Sequence, residues 1–92
     1  MHLDVRVLAS PLALSRIGIV VPRHQHSAVD RNRLKRRLRE LARLELLPAM
    51  RGIAAIDIAI RARREAYAAA MGALRTDVDS IRARVTSGAE PA

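Results

Sequence analysis

The chemistry of this chain is concentrated in the segment Arg31-Asn32-Arg33-Leu34-Lys35-Arg36-Arg37-Leu38-Arg39-Glu40. Seven cations fall between Arg31 and Arg43 with Glu40 as the single acid among them, so i,i+4 pairing relieves little of their repulsion. Like charges this dense cost stability until an anion arrives, and nucleic-acid phosphate is the simplest match. Arginine pairs bidentately with phosphate and stacks on bases, which lysine does not. Asn32 is a weak helix former lodged among the cations. Its amide both donates and accepts, which suits a base edge, a ribose hydroxyl or a water on bound Mg²⁺. The plainer reading of the same run is a solvated helix face with a surface Asn. Arg61, Arg63 and Arg64 form a second basic cluster, either an extension of the anion surface or a charged strand end. His24 and His26 stand two apart in a loop beside Arg23. No Asp, Glu or Cys is expected to complete a metal site there, so phosphate contact or loop polarity explains them better. Asp57, Glu65, Asp77 and Asp79 show no acid–base pairing and there is no nucleophile constellation, so no catalytic residues are expected in the polypeptide.

Ninety-two residues make at most one small domain. Half are hydrophobic, enough for a core, but Tyr67 is the only aromatic and that core must be aliphatic. Sixteen Arg and one Lys against nine acids leave a net charge of +8. That balance calls for an acidic partner: nucleic acid, an anionic membrane or an acidic protein. The hydrophobic content argues against a disordered chain, and no apolar run approaches the ~18–20 residues of a membrane span. Asp4 and Arg6 interrupt the first apolar stretch, unlike a secretory signal. With no Cys there is neither a disulfide scaffold nor a thiolate site, and the cytoplasm is the expected compartment.

These residues have to be positioned by a few regular elements. Leu3, Val5 and Val7 alternate with Asp4 and Arg6, the period of a half-buried strand. Ser10-Pro11 opens a connection to about Ser15. Arg16-Ile17-Gly18-Ile19-Val20-Val21 reads as a second strand ended by Pro22, its apolar run pointing to the sheet interior. Ile56 to Arg61 reads as a third, with three Ile on one face. The first two strands lie close enough for a hairpin, and the second and third are spaced for a βαβ crossover. Between them Ser27-Ala28-Val29-Asp30 reads as a capping box opening a helix from Ala28 to about Leu47, stopped by Pro48. At about 100° per residue Leu34, Leu38 and Leu41 share a narrow arc, with Asn32, Arg36, Arg39 and Arg43 opposite and Lys35 beside them. Arg31 and Arg37 flank the apolar arc, their stems over the core. Tyr67, Met71, Leu74, Val78, Ile81 and Val85 predict a C-terminal helical stripe belonging to the core. That helix is either bent or broken near Leu74 to Thr76, where Thr76-Asp77-Val78-Asp79 looks like a fresh cap. The expected layout is one RNA-binding domain over residues 1–85 and a flexible tail over 86–92.

The run Arg-Asn-Arg-x-Lys-Arg-x-x-Arg-Glu, preceded by Ala28-Val29, resembles the signature helix of the bacterial ribonuclease P protein subunit. Arg16 to Val21 resembles the strand before that helix, and Asp57-Ile58-Ala59-Ile60-Arg61-Ala62-Arg63 the strand after it, so the likeness covers roughly Leu3 to Val85. It implies an α/β sandwich of ribonuclease P protein type, like the second domain of a small-subunit ribosomal protein. Such a fold has a roughly three-stranded sheet, a βαβ crossover through the basic helix and a C-terminal helix. It also implies a function: binding the catalytic RNA and precursor tRNA to assist removal of the 5′ leader, with Mg²⁺ held mainly by the RNA. By position, Arg31, Asn32, Arg33, Lys35, Arg36 and Arg39 become the RNA-facing signature, with Arg43, Arg23, Arg61 and Arg63 extending it. Two departures stand out. The family's opening basic segment and Phe-bearing helix are not matched in this sequence: either the true start lies upstream, which would leave a sheet face uncovered for self-association, or leader binding is weakened and rests on polar and backbone contacts. The loop before the signature helix reads Pro22-Arg23-His24-Gln25-His26. The alternative is a ribosomal-like RNA- or DNA-binding module with no part in tRNA processing.

Overall fold

The computed structural model describes residues 2–11, 14–51 and 55–86. Three strands, β1 (Leu3–Ala9), β2 (Arg16–Val20) and β3 (Ile56–Ala62), form one sheet under two helices, α1 (Ala28–Leu41) and α2 (Met71–Thr86). The order is β1-β3-β2, with β1 antiparallel and β2 parallel to β3. The expected β1–β2 hairpin therefore does not form, and the expected interior position of β2 is corrected: it is an edge. β3 earns the centre because Ile56, Ile58, Ile60 and Ala62 all bury on one side of it. They meet Ala9, Val7, Val5 and Leu3 across one ladder, while Ile17 and Ile19 stand opposite Ile58 and Ile60 across the other. The apolar run of β2 misleads because Ile17 and Ile19 are only half-buried, Val20 is 55 % exposed, and Val21 buries just beyond the strand.

The helix α1 follows its local code closely. Ser27 is extended and its Oγ accepts from the Asp30 N–H at 3.1 Å, satisfying one orphan donor of the first turn. The expected box is only half made: the Asp30 carboxylate does not return a bond to Ser27 but lies 3.6 Å from His26 Nδ1, facing the preceding loop. Leu34, Leu38 and Leu41 are buried against the sheet layer. The chain then changes helix type where a straight α-helix was expected to reach Leu47. Residues Ala42–Leu46 form a π turn, with Leu47 N–H donating to the Ala42 carbonyl at 3.0 Å, and Pro48–Met50 a 3₁₀ turn. The reason is in the side chains. Leu41 and Leu46 are five apart and both fully buried, a spacing that one i→i+5 turn returns to the core face. Glu45 then sits beneath α2, 2.5 Å from Arg82 Nη1.

The C-terminal stripe breaks earlier than expected. A 3₁₀ turn spans Arg64–Ala68, and α2 then runs unbroken through Thr76 to Thr86. Leu74, Val78, Ile81 and Val85 bury as the periodicity requires, but Met71 is exposed and Tyr67 only half-buried. Thr76 makes no cap: its Oγ1 donates to the Gly72 carbonyl at 3.0 Å within the helix. Asp77, 9 % exposed, receives the backbone N–H of His2 at 2.8 Å and faces its Nδ1 at 2.7 Å, pinning the start of β1 to α2. Thr86 belongs to α2, so the expected tail does not begin there, and the rest of it, 87–92, lies outside the described residues.

The second face of the sheet is turned away from both helices and carries Asp4, Arg6 and Leu8, Arg16, Gly18 and Val20, and Asp57, Ala59 and Arg61. Arg16 and Asp57 stand directly opposite and pair through two bonds, Nε to Oδ1 at 3.0 Å and Nη2 to Oδ2 at 2.6 Å. Hydrogen bonding from Arg16, and its charge, hold the Asp57 carboxyl below its ordinary 3.8. A lowered folded value means that this stabilisation is complete above pH 3.8 and is lost as pH falls through the folded value. Urea midpoints followed into acid should fall less steeply for Asp57→Asn than for the parent chain; parallel profiles would show that the pair contributes nothing.

Candidate nucleic-acid interface

Burial of Leu34, Leu38 and Leu41 forces the opposite side of α1 into solvent. Asn32, Arg33, Arg36, Arg37 and Arg39 are exposed, and Lys35 is partly so. Among the described residues none forms an ion pair or hydrogen bond with the side chains of Asn32, Arg33, Lys35, Arg36, Arg37 or Arg39. Four acids are engaged elsewhere: Asp4 with Arg63 at 2.7 Å, Asp57 with Arg16, Glu45 with Arg82, and Asp79 near Arg82 at 3.5 Å. An uncompensated row of guanidinium groups on a rigid rod is a surface built for a polyanion.

Not every expected site residue belongs to that row. Arg31 turns back and donates from Nε to the Val21 carbonyl at 2.8 Å, tying α1 to the end of β2. Arg43 is committed to Glu40, with Nη2 to Oε1 at 2.6 Å and Nε to Oε2 at 3.3 Å. That contact lowers the Glu40 carboxyl and raises the Arg43 guanidinium from their ordinary values, in each case first through the hydrogen bond. Arg63 spends its Nε on Asp4. Arg61 is exposed on the open sheet face, opposite Asp4 and Val20, away from the helical row. Arg23 is exposed in the loop that leads into α1. Conversely, Arg37, read in sequence as a flank covering the core, is exposed and lines a pocket with Arg33, a pairing foreshadowed by their i,i+4 spacing. Two shallow hollows of about 310 and 350 Å³ lie on the open sheet face, around Ala59 and Gly18. Among the described residues no three His, Asp or Glu side chains converge as a metal-ligand cluster.

A three-stranded mixed sheet backed by two helices, one of which turns Asn32, Arg33, Arg36, Arg37 and Arg39 outward with no partner among the described residues, defines a small α+β domain with one strongly basic face. A family model for ribonuclease P matches residues 2–86. The solved structure of the RNase P protein of Staphylococcus aureus is similar, with a TM-score of 0.70 and 25 % identity over 86 % of this chain and 70 % of that one. Among curated proteins none matches. The chain belongs to the bacterial ribonuclease P protein family, and it is accordingly a ribonuclease P component with a place in tRNA processing. No helix among the described residues is long and apolar enough to cross a membrane.

Proposed function

We propose that this chain binds the catalytic RNA of ribonuclease P, and precursor tRNA with it, and so assists removal of the 5′ leader while the RNA carries out the cleavage with its own Mg²⁺. The observation that carries this reading is the outward row of α1, in which Arg33, Lys35, Arg36, Arg37 and Arg39 have no carboxylate partner among the described residues. Asn32, exposed in the middle of that row, adds an amide able to read a base edge or a ribose hydroxyl. The polypeptide supplies charge and position; no nuclease activity is expected of it alone.

Reconstitution tests the reading. Added to bacterial ribonuclease P RNA at low Mg²⁺, the protein should raise the rate of precursor-tRNA cleavage. The binding should also be strongly salt-dependent. If the five free cations of α1 and Arg23 each displace one counterion, log affinity falls against log salt with a slope of roughly −4 to −5, at ~0.7–0.9 per contact. A slope near zero removes the electrostatic mechanism. Equal affinity for duplex DNA, with no stimulation of cleavage, identifies instead a general basic RNA- or DNA-binding module.

A further inference from the structure

The flank of α1 that faces the Arg64–Ala68 turn holds a group of rings that the outward row does not use. The His26 imidazole lies flat on the Tyr67 ring, with centroids 3.8 Å apart and planes inclined by 1°. His24 meets the same ring edge-on at 6.5 Å and 90°. The Tyr67 hydroxyl donates to the Pro22 carbonyl at 2.6 Å, anchoring the loop that carries both histidines. That loop is bent to deliver them: His24 and Gln25 are consecutive left-handed residues at φ 47 and 69, a conformation non-glycine residues keep only where their surroundings hold it. His24 Nε2 is screened from solvent and has no hydrogen-bond partner among the described residues.

Beside the stacked pair is a cavity of about 160 Å³ lined by His26, Asp30, Arg33, Leu34, Arg37 and Tyr67. Arg33 and Arg37 are one helical turn apart and have no ion-pair partner among the described residues, so two like charges border one small space. The cavity is below the ~300 Å³ typical of sites for drug-sized ligands. Its size suits a single planar heterocycle. A free phosphate would satisfy the arginines but leave the ring surface idle, whereas a nucleotide uses both. Base–aromatic stacking is tolerant of sequence because every base has a π face.

We propose that this pocket takes one unstacked nucleotide of a single-stranded RNA segment, its base against the His26–Tyr67 pair and its phosphate on Arg33 and Arg37. The assignment rests on the RNA-binding function proposed above and adds a subsite to it. It also gives the one aromatic side chain of the molecule a part in recognition that its place in the apolar stripe concealed.

Tyr67 is the only tyrosine and there is no tryptophan, so the intrinsic fluorescence of the full chain reports on this ring alone. The probes are a short oligocytidylate and its abasic counterpart with the same number of phosphates. The base-bearing probe should bind more tightly and quench Tyr67 emission to saturation; the abasic probe should leave emission unchanged. His26→Ala should narrow the affinity gap between the two probes by about fivefold or more, from the stacking layer it removes, and His26→Phe should restore it. Equal affinities and equal emission changes for the two probes, or no binding of either, would overturn the proposal. The comparison on the unaltered chain decides the matter even if His26→Ala folds poorly. Failed stimulation of precursor-tRNA cleavage with base-dependent quenching intact would count against the proposed function alone. The reverse combination would count against the pocket alone.

Discussion

Replacing Arg36 and Arg39 together by Ala should weaken binding to bacterial ribonuclease P RNA by about tenfold or more at moderate salt, while the unfolding midpoint stays where it was. Both side chains are exposed on the side of α1 opposite Leu34, Leu38 and Leu41, and neither has an internal partner among the described residues. Their loss therefore removes no contact from the fold and relieves some repulsion among the cations. In the complex each is expected to stand against phosphate, so the double variant should also flatten the salt dependence, its log–log slope becoming shallower by roughly 1.4–1.8. Arg43→Ala is the informative contrast. Its guanidinium already holds Glu40 in a two-bond pair, so it has less to offer an external anion, and its removal should cost the RNA complex far less. Filter binding over a salt series checks all three points. If Arg43→Ala is the more damaging change, the free row of α1 is not the contact surface.

Leu38→Ala, on the other side of the same helix, should have the opposite signature. Leu38 is 1 % exposed and packs in the hydrophobic cluster that joins the sheet to both helices. Truncating a buried leucine costs about 2–5 kcal/mol, from lost burial and the cavity left behind. Small domains hold only about 5–15 kcal/mol in total, and at this size Tm should fall by on the order of 10 °C or more. Because the core here is almost wholly aliphatic, with no Phe or Trp to shift into the gap, little compensation is available. The fraction that remains folded should keep its affinity for RNA. Thermal and urea unfolding test the first part, and a Tm within a degree or two of the parent chain would show that Leu38 is not in the core as placed. Taken as a pair, the two experiments separate the faces of one rod, one side governing stability and the other binding.

Much of this architecture is legible in the sequence. The alternation Ile56, Ile58, Ile60 declares a strand with one buried side, and Ser27 before a run without Gly or Pro declares a helix start, because periodicity and capping are local properties of the backbone. Leu34, Leu38 and Leu41 in one arc already imply that Arg36 and Arg39 point away, and the Arg-Asn-Arg run carries its family likeness in plain view. The spacing of β2 and β3 around a long helix already points to their parallel pairing, but sequence could not show that β1 would join β3 instead of β2. Ladder hydrogen bonds are made by a backbone common to all residues, so nothing in β1 or β2 announces that β3 will lie between them. Only joint burial of the three strands' apolar sides against α1 and α2 settles that order. The same holds where one segment completes another. The π turn appears because Leu46 must reach a core shared with α2, Arg31 leaves the outward row because the Val21 carbonyl is within its reach, and Tyr67 joins a ring stack because a distant loop lays His26 upon it. Each of these depends on a surface contributed from elsewhere in the chain, and such surfaces exist only after folding.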